Sequence, residues 1–170
     1  MMWQRVKQLW SALHADVTSE DYDFINQYLS PVEKELFLRC DLVTQKHCLR
    51  VAYTALDLAQ KEARSIDYIL LVKSALLHDI GKRKGDLNIW YRVVTVIIFT
   101  LLPSYGKAMA RKGKGLRHAL YVYLFHPEEG AKLAKQADLD QEIINIIKYH
   151  HNSESVSPEQ KLVTRADNLN

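Results

Sequence analysis

Residues 68–82 read Tyr-Ile-Leu-Leu-Val-Lys-Ser-Ala-Leu-Leu-His-Asp-Ile-Gly-Lys, with Asp67 directly in front. An aspartate there can accept hydrogen bonds from the first free N–H groups of a helix, so the stretch predicts a helix over 68–78 started by Asp67. After Gly81 a polar, glycine-containing turn runs through Gly85. The helix therefore delivers two ligand-type side chains, His78 and Asp79, at its end.

Working outward, the same punctuation recurs. Ser30-Pro31 and Ser157-Pro158 each place a capping hydroxyl and a first-turn proline ahead of an apolar-periodic segment, over 32–38 and 159–169. Val43, Lys46, His47, Arg50, Val51, Thr54 and Leu58 fall at helical spacing and predict a long helix over 42–63. Further helices are expected at 116–125, 127–136 and 140–151, and an amphipathic one at 1–13 carries Trp3, Val6, Leu9, Trp10 and Leu13. The apolar segment 89–102 is stopped by Pro103. Its β-branched run 93–98 suits a strand or a helix; its length, the flanking Asn88 and Pro103, and its helical neighbours favour a buried helix.

Strand alternation is nearly absent, so the fold expected is all-α, a single helical bundle. At 170 residues the chain is close to one domain, taking roughly 150 residues as a prior, and its 48% hydrophobic share is that of a globular protein. The net charge of +3 is modest. Basic residues concentrate at Lys82, Arg83 and Lys84 and again over 107–117, which favours a local anionic ligand over a chain coated in nucleic acid. The most apolar stretch, 93–102, has about half the ~20 residues that a membrane-spanning helix needs, and the N-terminal residues lack the unbroken apolar core of a signal peptide. Cys40 and Cys48 would lie about 12 Å apart on a shared helix, too far for a disulfide, and read as reduced thiols of a cytoplasmic protein.

Of seven histidines, five group with aspartates: His47 inside the long helix, His78 beside Asp79, His126 before Pro127, His150 with His151, and Asp167 near the C-terminus. Taken singly, a histidine at a helix C-terminus often only complements the helix dipole, and an aspartate is mostly a surface residue. Taken together they form a ligand set, and imidazoles mixed with carboxylates suit divalent iron, manganese, cobalt, nickel or zinc. His14 and His118 lack such companions and are read as surface or core histidines.

The order and contexts of these residues carry a resemblance: His47 in His-Cys-Leu-Arg-Val-Ala, the pentapeptide His78-Asp79-Ile80-Gly81-Lys82, His126-Pro127-Glu128-Glu129-Gly130, His150-His151 after Ile-Ile-Lys-Tyr, and Ala166-Asp167-Asn168. The chain resembles the HD superfamily of metal-dependent phosphohydrolases, in the branch with a His-Asp-Ile-Gly-Lys signature, over 42–168. The resemblance implies a catalytic domain over 42–170, preceded by a helical extension over 1–41 and interrupted by an insertion-like segment at 87–117. It implies that His47, His78, Asp79 and Asp167 hold a first divalent ion, and that Asp79 bridges to a second held by His126, His150 and His151; simpler members use one. It also implies a water nucleophile activated by metal, with Asp79 and Lys82 at the chemistry and Lys82 against a phosphate oxygen.

The substrate implied is a small phosphorylated molecule, by default a nucleotide, because diadenosine-polyphosphate hydrolases and nucleotide phosphatases of the family are similar in size. A Gly-Tyr-Pro element is absent, which argues against the cyclic-dinucleotide phosphodiesterases. Two alternatives stand beside hydrolysis: a di-iron oxygenase of the same fold, whose ligand set is nearly the same, and a non-catalytic ligand-sensing module. The glycine-containing basic stretch 107–117 reads as a mobile flap, as a peripheral membrane or partner contact together with the apolar segment, or as a solvated loop. Trp3, Trp10 and the apolar run would equally serve a homodimer.

Overall fold

The computed structural model describes residues 17–62, 65–152 and 157–170. Among these residues the chain forms nine helices and no strand: α1 Ser19–Tyr28, α2 Pro31–Leu38, α3 Leu42–Ala59, α4 Tyr68–Leu77, α5 Ile89–Leu101, α6 Pro103–Met109, α7 Gly115–Gln136, α8 Gln141–Tyr149 and α9 Pro158–Leu169. The all-α expectation is met. The amphipathic helix expected over 1–13, with Trp3 and Trp10, and His14 lie outside the described residues.

Capping side chains set the helix starts. Asp67 accepts from the N–H groups of Ile69 and Leu70 at 2.9 and 3.0 Å, Asp41 from Thr44 at 2.9 Å, Asn88 from Tyr91 at 2.8 Å and Ser157 from Gln160 at 3.1 Å. Thr18 with Asp21, and Ser30 with Glu33, form reciprocal capping boxes. Helix α4 is apolar on nearly every side, so it is stable only when surrounded, and it runs through the middle of the bundle in contact with α1, α2, α3, α8 and α9. Its single charged residue, Lys73, is neutralised by the buried Glu33 at 2.9 Å. Leu71, Leu76 and Leu77 pack with Leu49, Ile147 and Val163 into one core that ends at the His78-Asp79 turn.

Several features differ from the sequence reading. Helix α3 stops at Ala59, short of residue 63. The expected break at Pro127 is absent, and α7 continues through it from residue 115 to 136. The basic stretch is in part helical, because Pro103 starts α6 instead of ending all helix. Helix α5 forms as expected but is not buried: Thr95 is its one buried residue, since only one side of it meets α6 and α7. Helical periodicity is local, whereas burial depends on how many neighbours arrive.

Candidate metal centre

The ends of three helices and the middle of two more converge on Asp79. Its Oδ2 lies 3.6 Å from His78 Nε2, at the end of α4, and 3.8 Å from His47 Nε2, inside α3. Its Oδ1 lies 3.2 Å from His126 Nε2, inside α7, and 3.9 Å from His150 Nε2, at the end of α8. From α9, Asp167 reaches His47 at 2.9 Å and His78 at 3.7 Å, and its other oxygen lies 3.5 Å from His151 Nδ1. His151 Nε2 lies 3.1 Å from His126 Nε2. All seven residues singled out as ligands are thus brought together.

Three of the rings are oriented by main-chain carbonyls. The Nδ1 atoms of His78, His126 and His150 lie 2.7–3.1 Å from the carbonyl oxygens of Ala75, of Val122 and Tyr123, and of Ile147. Donation from Nδ1 leaves Nε2 as the lone-pair atom, the tautomer a metal ligand needs. For His126 the local sequence explains the acceptor: Pro127 has no N–H to give to Tyr123 four residues earlier, so that carbonyl is released and takes the imidazole at 3.0 Å. The α8 end is braced from α9, where the Thr164 hydroxyl donates to the His150 carbonyl at 2.7 Å. Gly81 completes the arrangement. A Cβ there would come within 2.1 Å of the His126 carbonyl oxygen and 2.9 Å of Gly130 N, so the turn carrying Asp79 rests main chain to main chain on α7.

Electrostatics match the geometry. Burial would raise Asp79, but the Lys82 ammonium at 2.7 Å and the rings of His78, His126 and His47 hold it well below the carboxylate range. Asp167 is likewise held down against burial, by its hydrogen bond with His47 and by the His78 ring beside it. Burial pushes His150 down to about 3 and, with Lys82 next in importance, takes His126 well below its ordinary value; burial also lowers His151. These rings are neutral at physiological pH. Burial also acts to lower His78, but Asp79, Cys48 and Asp167 together outweigh it and raise this ring, so a divalent ion competes with a proton for that nitrogen. Cys48 lies beside His78 and Asp79, but burial raises its thiol and keeps it protonated.

A metal centre fits these residues on a direct test. His78 Nε2, His150 Nε2 and Asp79 Oδ1 are buried and have no hydrogen-bond partner, a costly state for three polar atoms in one place unless a cation satisfies them. Two sets, His47 with His78 and Asp167, and His126 with His150 and His151, each have ligand atoms within 4.8 Å of one another.

The centre lies at the floor of a cleft of about 390 Å³ lined by Arg50, Lys82 and Arg92 among others. Arg92 was not singled out by sequence. It reaches from α5 to Asp41 at 2.5 Å and Thr44 at 2.9 Å, and its only signal was a lone cation in an apolar helix. Tyr123, Val96 and Asn170 also line the cleft unforeseen, beside Asn168 of the Ala166-Asp167-Asn168 element. Lys46, Glu129 and His118 turn away to other partners: Asp21 at 2.6 Å, Lys132 at 3.0 Å and Asp86 at 3.1 Å.

Helices alone, closing on a buried carboxylate ringed by imidazoles, define an all-helical domain whose centre could hold a metal ion. A family model described as HD domain matches residues 44–170, and the chain belongs to that family. Members of this superfamily are metal-dependent and bind divalent ions. Comparison with curated proteins gave no match, and comparison with solved structures gave none. No helix among the described residues is long and apolar enough to cross a membrane.

Proposed function

We propose that this chain hydrolyses a phosphoester or phosphoanhydride bond in a small phosphorylated molecule, with a nucleotide as the favoured class. The observation that carries the proposal is the division of Asp79, one oxygen toward His47 and His78 and the other toward His126 and His150. That division suits two ions, one held by His47, His78, Asp79 and Asp167, the other by Asp79, His126, His150 and His151. Iron, manganese, cobalt, nickel and zinc all suit such ligands. When bound, ions of this kind acidify water and withdraw charge from a phosphoryl oxygen.

The chain's own residues supply the rest. The Lys82 ammonium has three donors and gives one to Asp79, leaving others for a non-bridging phosphate oxygen. Arg50 and Arg92 add two further cations to the same cleft, so more than one phosphate can be matched. Val43, Val96 and Tyr123 give it an apolar wall that suits a nucleoside base, and its volume is within the ~300–1,000 Å³ of small-molecule sites. The free, buried Cys40 and Cys48 are in keeping with a reducing, cytoplasmic setting.

The test is phosphate or nucleotide release from mono-, di- and dinucleoside polyphosphates under argon, with manganese or ferrous iron. Release by the wild type, abolished together with much of the bound metal in Asp79→Ala, is the expected result. Activity retained by Asp79→Ala would overturn the mechanism. Turnover confined to air would point to the oxygenase chemistry the ligand set also admits, and metal binding without any turnover to a sensing module.

A further inference from the structure

Helix α5 has two unlike sides. Arg92 and Val96 line the cleft, whereas Trp90, Val94, Ile97 and Leu101 are exposed. Spacings of four, three and four residues align these four along one edge for roughly 17 Å, at about 1.5 Å per residue. Leu102 and Tyr105 continue the exposed apolar strip into α6, with Trp90 at 74% and Leu101 at 66% exposure. A strip of this length that the described residues leave uncovered marks a contact surface.

Charge identifies the partner. Residues 87–127 contain six of the chain's 23 basic residues and none of its 20 acidic ones, so the remainder of the chain is net negative. Lys107, Arg111, Lys114 and Arg117, which follow directly on the strip, are exposed. The strip is a ridge along a helix and not a groove, so it needs a soft surface more than a shaped one. A symmetric pair of copies would set this acid-free segment against itself, like charge facing like. We propose that α5 and α6 seat the protein on an anionic lipid surface, with Trp90, Ile97, Leu101, Leu102 and Tyr105 among the acyl–headgroup boundary and the cations against the headgroups. α5 has 13 residues and would lie in that boundary without crossing it.

The test is co-sedimentation of the full chain with vesicles of mixed phosphatidylglycerol and phosphatidylcholine, against vesicles of phosphatidylcholine alone. Binding to the anionic vesicles is expected to exceed binding to neutral ones at least about tenfold and to weaken with salt. Trp90→Glu with Leu101→Glu should abolish it. Lys107→Glu with Arg111→Glu and Lys114→Glu should weaken it about fivefold per cation. All these positions are exposed, so far-UV circular dichroism, metal content and basal turnover of a water-borne substrate should be unchanged. No binding by the wild type, equal binding to both vesicles, or binding that survives the Trp90/Leu101 change would overturn the proposal. So would a dimer in sedimentation velocity that dissociates on that change, because a second copy would then cover the strip. None of these readouts depends on the reaction proposed above.

Discussion

The two oxygens of Asp79 are covalently equivalent but chemically distinct. Oδ2 accepts from Lys82 at 2.7 Å, and Oδ1 faces His126 and His150 with no hydrogen bond of its own. On the proposed mechanism Lys82 would act on charge at the site without being a ligand. Lys82→Ala is expected to keep its metal and to lose about 10²-fold in kcat, the scale for removing one donor from developing charge. Metal analysis beside steady-state kinetics checks this; loss of the ion would show that the lysine's role is to hold Asp79. The seven converging histidines and aspartates were legible in the sequence because each stands in a recognisable context. Arg92 was not, since its approach to Asp41 and Thr44 crosses about fifty positions of chain and leaves no local pattern.

Among the elements, α7 departs most from the sequence reading, and the reason is physical. A proline inside a helix removes one hydrogen bond and usually ends or bends the helix. Here the released Tyr123 carbonyl takes His126 Nδ1, so the side chain one position before the proline repairs the gap the proline makes. Pro127→Ala would restore an N–H to compete for that carbonyl. The expected result is a fold at least as stable, with metal affinity or activity lower by about 10- to 100-fold, the range for losing a partner behind a ligand. Thermal melts with metal titration test it; unchanged affinity would mean that the Val122 carbonyl suffices alone. The α5 difference has another origin. An apolar run reports that a helix can bury itself, and whether anything lies over it is settled by residues elsewhere.

For the molecule as a whole, the centre ties together α3, α4, α7, α8 and α9, so ion binding should stabilise the entire domain. At about a hundredfold excess over Kd the gain is about 2.7 kcal/mol. For a domain of this size that raises Tm by about 5–10 °C. Calorimetry with manganese and with a chelator measures it, and an identical Tm in both would place the ion outside the folded core. The inner and outer parts of the ligand shell should then respond differently to the choice of metal. Gly81 and Gly130 press the Asp79 turn onto α7 without intervening side chains, and a main chain in contact has no rotamers with which to adjust. The separation between the His78-Asp79 pair and His126 is thereby set in advance. His151, about half exposed, stands at the open rim of the site. Differences in ionic radius from zinc up to manganese would then have to be taken up at that open rim, and metal preference in this protein would be tuned from its solvent side.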